Sequence, residues 1–268
     1  MKIFTCIKQV PGVSEVKIDP KTNTLIRKGI PSITNPMDNN ATELALNIKE
    51  KHGGEVIAIS MGPPQAEEVL RQALAMGADE AFLLTDRAFA GADTLATSHT
   101  LALAIKKILK DSGNEKEYLV ICGTQAIDGD TAQVGPELAE ELGIPQITYV
   151  QKLEVKDDKV ITERVFRSEE IVIIESDLPA LVSVLKEVNS PRFPSMKGIV
   201  DAHQEKDVKF LNAKDLDADK AKIGLTGSQT EVFKIFIPEK KGEHVMLEGS
   251  IEEMVQQLCT NLKEDKLL

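Results

Sequence analysis

Tryptophan is absent from this chain of 268 residues, and only 4% of it is aromatic. Without aromatic platforms there is little on which successive bases of RNA or single-stranded DNA could stack. Positive charge is also scarce. The 32 Lys and Arg stand against 43 Asp and Glu, a formal net charge of −11. That balance argues against nucleic acid or an anionic membrane surface as a partner. No apolar run reaches the length of a membrane span, so no membrane insertion is expected. Met1-Lys-Ile-Phe-Thr-Cys6 reads as a strand rather than a signal peptide, and the expected location is cytoplasmic. Cys6, Cys122 and Cys259 form no C-x-x-C pair and are expected to be reduced thiols, Cys122 an inert strand residue. His52, His99, His203 and His244 lie far apart, with no carboxylate or cysteine at ligand spacing, so no metal site is expected. No Ser–His–Asp grouping follows from residues this isolated. Neither a Walker lysine nor a G-x-G-x-x-G is present, which sets aside the ordinary P-loop and dinucleotide fingerprints.

What is present is alternation. Lys2 to Val10, Val56 to Met61, Ala81 to Thr85 and Tyr118 to Cys122 are apolar runs of strand length. Between them stand helical stripes: Ala41, Leu44, Ala45 and Ile48; Ala66, Val69, Leu70 and Ala73; Leu101, Ala104, Ile105 and Ile108, the last capped by Asp93. Strands without polar alternation, separated by helices, predict a parallel sheet covered on both faces. In such a sheet a ligand sits at the carboxyl ends of the strands, near a switch in strand order.

The most informative segment is Cys122-Gly-Thr-Gln-Ala-Ile-Asp-Gly-Asp-Thr-Ala-Gln-Val134. A strand runs into a loop of small and acidic residues, and a helix is predicted from near Asp130. Small side chains let a phosphate approach, and unpaired N–H groups at the helix start point at it. Pro136 has no N–H, so the regular helix starts late or tightens there. Either way the amides of Asp130 to Val134 are expected to be free. A plain tight connection between strand and helix is the alternative.

After about Tyr149 the pattern changes. Leu153 to Lys156, Val160 to Phe166, Ile171 to Ile174 and Ala180 to Val184 read as short strands, with Asp157-Asp158 a turn. A charged stretch, Asp201 to Lys222, has few apolar anchors, and Lys240-Lys241 reads as a solvated turn. The tail carries an amphipathic helix with a capping box of Ser250 and Glu253 and an apolar face of Ile251, Met254, Val255, Leu258 and Leu262. Such a helix alone is marginal in water, so it packs either on its own domain or around another subunit. The domains expected are a nucleotide-binding α/β body with a β extension over 1–200 and a C-terminal arm over 201–268.

Several of these segments, in this order, resemble the β subunits of electron transfer flavoproteins over nearly the whole chain. They are Cys6-Ile-Lys-Gln-Val-Pro11, Asn35-Pro-Met-Asp38, Val56-Ile-Ala-Ile-Ser-Met-Gly-Pro63, Ala73-Leu-Ala-Met-Gly-Ala-Asp79, Gly123 to Val134, and Asn189-Ser-Pro-Arg-Phe193. The resemblance implies a Rossmann-like α/β sandwich in a heterodimer whose α subunit is embraced by the C-terminal arm. It places a nucleotide against Cys6, Asn35, Pro36, Met37, Asp38 and Met61. The loop implied to hold the phosphates comprises Gly123, Thr124, Gln125, Ala126, Asp128, Gly129, Asp130, Thr131, Ala132, Gln133 and Val134. The Asn35-Pro36 turn is expected to offer amide and carbonyl groups to an adenine edge. Asp128 and Asp130 are expected to form the loop and cap the helix rather than touch phosphate, since like charges repel. A universal-stress-type nucleotide sensor is a rival outside the family, but one typically half this length.

Ordinary members of the family hold AMP as a structural ligand, whereas electron-bifurcating members hold FAD that takes hydride from NADH. Gly129, Thr131, Ala132, Val134 and Pro136 are small where AMP-binding members carry bulkier or more polar residues, so the chain resembles the second kind. That resemblance implies FAD, NAD(H) as substrate, a second FAD on the α subunit, and ferredoxin or flavodoxin as one-electron partner. The other partner is a flavin-dependent dehydrogenase acting on an acyl-CoA or on a 2-hydroxy acid such as lactate. No residue of this chain needs to act as acid or base, because the redox chemistry belongs to the flavin. Gly62, Pro63, Asp93 and Thr94 are candidates for the NAD(H) side, with Asp93 equally explained as a helix cap. Asn189, Pro191, Arg192 and Met196 fall in the loop that docks dehydrogenases in relatives. Ser195-Met-Lys-Gly198 departs from that loop's usual pattern, as Arg167-Ser-Glu-Glu-Ile171 does from the usual acidic, glycine-rich run before Asp177-Leu-Pro-Ala180.

Overall fold

The computed structural model describes residues 1–12, 31–113, 117–167, 170–233 and 245–268, which fall into two units, Met1–Val232 and Phe233–Leu268. Lys240, Lys241 and His244 lie outside the described residues. The first unit is mixed α/β with a large, mostly parallel sheet. Its strands are β1 (Lys2–Cys6), β2 (Gln9–Pro11), β3 (Ser32–Thr34), β4 (Glu55–Met61), β5 (Glu80–Leu84), β6 (Tyr118–Gly123), β7 (Gln146–Lys156), β8 (Lys159–Phe166), β9 (Glu170–Asp177), β10 (Ala180–Val184) and β11 (Val208–Leu211). Its helices are α1 (Pro36–His52), α2 (Glu67–Met76), α3 (Thr94–Ser112), α4 (Val134–Leu142), α5 (Met196–Gln204) and the single turn α6 (Gly224–Gly227).

Nine strands lie in the order β11-β5-β4-β1-β6-β10-β7-β8-β9. Those from β11 to β7 are parallel, while β8 and β9 continue the sheet antiparallel as the β extension. The apolar runs become the middle of the sheet because both faces are covered. Ile3, Val56, Ala58 and Leu119 pack against α1 and α2, through Leu44, Ala45, Leu70 and Leu74. Phe4, Ile57, Ile59 and Val120 pack on the other face against α3 and α4, through Leu101, Ile105 and Leu138. Burying one such side chain contributes about 1.5–3 kcal/mol.

The strand read over Lys2 to Val10 is broken. β1 ends at Cys6, and Gln9–Pro11 turns away to pair antiparallel with β3. Residues 201–232, poor in apolar anchors, still close the sheet edge. Val208, Leu216 and Ile223 are buried there, and β11 pairs with β5. The second unit contains α7 (Ile251–Glu264), with Ser250 and Glu253 in a reciprocal capping box. No helix among the described residues is long and apolar enough to cross a membrane.

Candidate functional site

β1 and β6 are neighbours at the point where the strand order divides, with β4 and β5 to one side and β10 and β7 to the other. Such a division leaves a crevice outside the carboxyl ends of the strands. Cys6 and Cys122 sit side by side in register just below it, both buried and both free. Burial, with Asp38 adding to it, pushes the Cys6 thiol up to about 12. Burial, with Cys6 and Asp38 adding to it, also raises Cys122 well above its ordinary value. Neither thiol is a nucleophile at neutral pH.

The first turn of α1 plugs the base of the crevice. Pro36 occupies the first helical position, where a missing N–H costs nothing. Asp38 is 6% exposed, and its Oδ2 accepts the Lys8 N–H at 2.8 Å. Burial pushes its carboxyl up to about 7, while hydrogen bonds from Asn35 and from the Lys8 and Gly123 amides pull the other way. Gly123 has to be glycine. A Cβ there would stand 2.4 Å from Asp38 Oδ1 and 2.7 Å from Met37 Cβ.

Asn35 is fully buried and spans the crevice to the opposite loop. Its Nδ2 donates to Gln125 O at 3.0 Å, and its Oδ1 accepts from the Ile127 N–H at 3.2 Å. Its own amide donates to Lys8 O at 2.9 Å, and its carbonyl accepts from the Asp38 amide at 3.0 Å. The hydrogen-bonding groups of Asn35 are thus engaged within the chain, shaping the loop rather than standing open.

The loop itself supplies the donors. α4 begins at Val134, later than the Asp130 start that the sequence suggests, with Pro136 in its first turn. No side chain caps it: Gln133 stands at the cap position without a side-chain bond, so Asp130 is not the cap. The Asp130 amide is also not free, since it donates to Ala126 O at 2.8 Å. The amides of Thr131, Ala132, Gln133 and Val134 have no acceptor among the described residues. Asp130 and Ala132 both take φ of +53°, and Gln133 returns to φ −99°. A left-handed residue followed by a right-handed one turns successive N–H groups into one concavity, a backbone nest that suits an anion. A left-handed non-glycine residue costs about 1–2 kcal/mol. Thr124 is buried and donates its hydroxyl to Val184 O at 2.9 Å, anchoring the loop's start to β10.

Met61, Gly62 and Pro63 end β4, two strands from β6, with Met61 and Gly62 partly exposed and Pro63 exposed. Asp93 and Thr94, candidates with Gly62 and Pro63 for the NAD(H) side, are engaged within the chain. The Asp93 carboxylate caps α3 through the Ala96 amide at 3.0 Å, and also accepts from the Gln229 amide at 2.8 Å and the Thr230 amide and hydroxyl at 3.0 Å. Burial pushes that carboxyl up, but the bonds from Ala96, Thr230 and Gln229 outweigh it and hold the value below the ordinary one. Thr94 Oγ1 donates to Glu137 Oε1 at 3.1 Å, joining the starts of α3 and α4. Burial raises the Glu137 carboxyl above its usual range.

The Asn189–Met196 loop is clamped to the side of α1. Asn40 Nδ2 donates to Asn189 O at 2.9 Å, and Asn189 Nδ2 donates back to Asn40 O at 3.0 Å. The Arg192 guanidinium forks onto Glu43, with Nε–Oε2 at 2.8 Å and Nη2–Oε1 at 3.0 Å, and also reaches Glu50. Phe193 and Met196 then stand 95% and 80% exposed. Asn40, Glu43 and Glu50 carry no sequence signal beyond one polar helix face. Lys8, whose ammonium lies 2.7 Å from Asp128 Oδ1, was legible only as part of Cys6 to Pro11. Among the described residues no group of His, Cys, Asp or Glu is arranged to hold a metal ion.

The ends of β1 and β6, with Cys6 and Gly123, and the backbone nest beyond them thus form one candidate site. The comparisons with known proteins identify the family. Residues 22–216 match the model of the electron transfer flavoprotein domain. The chain is 54% identical over 262 residues to the electron transfer flavoprotein subunit beta of Thermoanaerobacterium thermosaccharolyticum, covering 98% of each. It is 49% identical to the caffeyl-CoA reductase-Etf complex subunit CarD of Acetobacterium woodii, and 40% identical to the acryloyl-CoA reductase electron transfer subunit gamma of Anaerotignum propionicum, covering all of each chain. With sequence likeness running end to end, the chain belongs to the electron transfer flavoprotein family, as a β subunit.

Proposed function

We propose that this β subunit is of the electron-bifurcating kind and holds FAD on the nest of Thr131 to Val134. The supporting observation is space. A Cβ at Gly129 would meet nothing within 4 Å, and Thr131 and Ala132 beside it are small, so a dinucleotide can extend past the phosphates. Bound there, FAD would supply hydride exchange with NAD(H) and its division into single electrons. The chain's own residues bind and orient. The four free amides hold the pyrophosphate, Asn35 and Asp38 keep the loop and strand ends in place, and the fully engaged Asp93 fixes the start of α3.

The partners this reading calls for are an α subunit with its own FAD, ferredoxin or flavodoxin, and a flavin-dependent dehydrogenase. Between an acyl-CoA and a 2-hydroxy acid such as lactate, the CoA thioesters in the names of two relatives favour the first. Gly62 and Pro63 are the proposed NAD(H) side, with Met61 beside the nucleotide, and Asn189, Pro191, Arg192 and Met196 the proposed dehydrogenase side. AMP held as a structural ligand is the second reading, supported by the same amides. Anaerobic titration of the purified complex with NADH tests the choice. Reduction of flavin at a stoichiometry near one per complex is expected; a flavin that NADH leaves oxidised overturns the proposal.

A further inference from the structure

We infer that Lys8 is the cation of the nucleotide site: its ammonium, parked on Asp128, is the charge partner of the ligand's phosphate. The inference rests on the reading of loop 123–134 as a phosphate site. The loop read as the phosphate site itself carries two carboxylates, Asp128 and Asp130, in a chain of net charge −11. Like charges within a few ångströms repel unless a cation lies among them. Among the described residues, Lys8 is the one Lys or Arg paired with this loop.

Its backbone is held from both sides. The Lys8 amide donates to Asp38 Oδ2 at 2.8 Å, and its carbonyl accepts the Asn35 amide at 2.9 Å. The next residue back, Ile7, donates to Ile59 O at 2.8 Å. The side chain therefore leaves a fixed point at the end of β1, beside the strand-order division, and crosses to Asp128, 120 residues away in sequence. Asn35 holds Gln125 and Ile127, so the loop that carries Asp128 is fixed to the same turn as Lys8. The ammonium is about half exposed, and its pair with Asp128 contributes little to stability. An ion pair of small energetic value between two rigidly placed segments positions a charge more than it holds the fold. An anion held by the same loop would give the Lys8 ammonium a second negative group to serve beside Asp128.

The test uses the full-length chain in the complex in which it purifies, stripped of nucleotide, with AMP and FAD as probes. Lys8→Met is expected to weaken binding of whichever probe the wild type takes by about ten-fold at low salt, with most of the difference disappearing at high salt. Lys8→Arg should restore most of the affinity, and the thermal midpoints of all three should agree. An unchanged dissociation constant and salt dependence in Lys8→Met, with the wild type binding, overturns the role of Lys8 and leaves the site standing. A wild type that binds neither AMP nor FAD overturns the reading of the site itself. A loss of affinity that Arg does not restore and salt does not reduce also refutes the charge role.

Discussion

Replacing Gly123 with alanine adds a single methyl group at the tightest point of the crevice. That carbon would stand 2.4 Å from Asp38 Oδ1, 2.7 Å from Met37 Cβ and 2.9 Å from the Met37 carbonyl carbon. All three belong to the first turn of α1, and the two Met37 atoms lie on or next to its backbone, so no side-chain swing alone relieves the clash. Either α1 moves off the end of β6, or Asp38 gives up the amides of Lys8 and Gly123. Overpacking of this kind costs about 1–3 kcal/mol, and loosening hydrogen bonds on a buried carboxyl adds about 1–3 more. A total of about 2–6 kcal/mol lowers the thermal midpoint of a domain this size by about 4–24 °C. Gly129→Ala is the matched control: its Cβ meets nothing within 4 Å, and its stability should stay within about 0.5 kcal/mol of wild type. Urea unfolding of both variants reads the difference. A Gly123→Ala protein as stable as Gly129→Ala would refute the close packing of α1 against β6 on which the site depends.

Other perturbations separate fold from site. Gly129→Trp should leave the unfolding midpoint near wild type but lose the bound nucleotide; full nucleotide content after gel filtration would put the ligand elsewhere. Asp38 has a folded value near 7 against about 3.9 unfolded, so its favourable contribution is complete below pH 4 and is lost as pH rises through 7. Asp38→Asn should therefore gain on the wild type by about 3–4 kcal/mol between pH 4 and pH 8 in denaturant unfolding, and parallel pH curves would contradict this. Arg192→Ala strands Glu43, whose side chain is 8% exposed, and should cost about 1–3 kcal/mol, with lysine a poor substitute because it lacks the fork. Equal urea midpoints for Arg192→Ala and wild type would show that the clamp on α1 is idle.

Much of the fold was legible because parallel strands buried on both faces leave continuous apolar runs, as in Val56 to Met61 and Tyr118 to Cys122. The helices α1, α2 and α3 showed their stripes, and the Asp93 and Ser250 caps appear as read. β11 was missed because four residues with only Val208 buried give no period, and the sheet edge, not the local sequence, recruits them. The break after Cys6 leaves no mark in the sequence, because Ile7 and Val10 beyond it are apolar and buried as well. At the site, the loop was visible from its small residues, but its φ values were not. Nothing in Asp130 or Ala132 announces a left-handed backbone, and the late start of α4 follows from that geometry. The bonds of Asn35 to Gln125 and Ile127, and those of Asp93 beyond its cap to Gln229 and Thr230, were equally hidden, since they join residues far apart in sequence.

The nucleotide held by the nest of Thr131 to Val134 decides between the bifurcating and the AMP-holding kind. Denaturing the purified complex and counting the released nucleotides by chromatography measures it directly. Two FAD per αβ pair and no AMP is the predicted result, with one of the two lost in Gly129→Trp. One FAD and one AMP would contradict the bifurcating assignment.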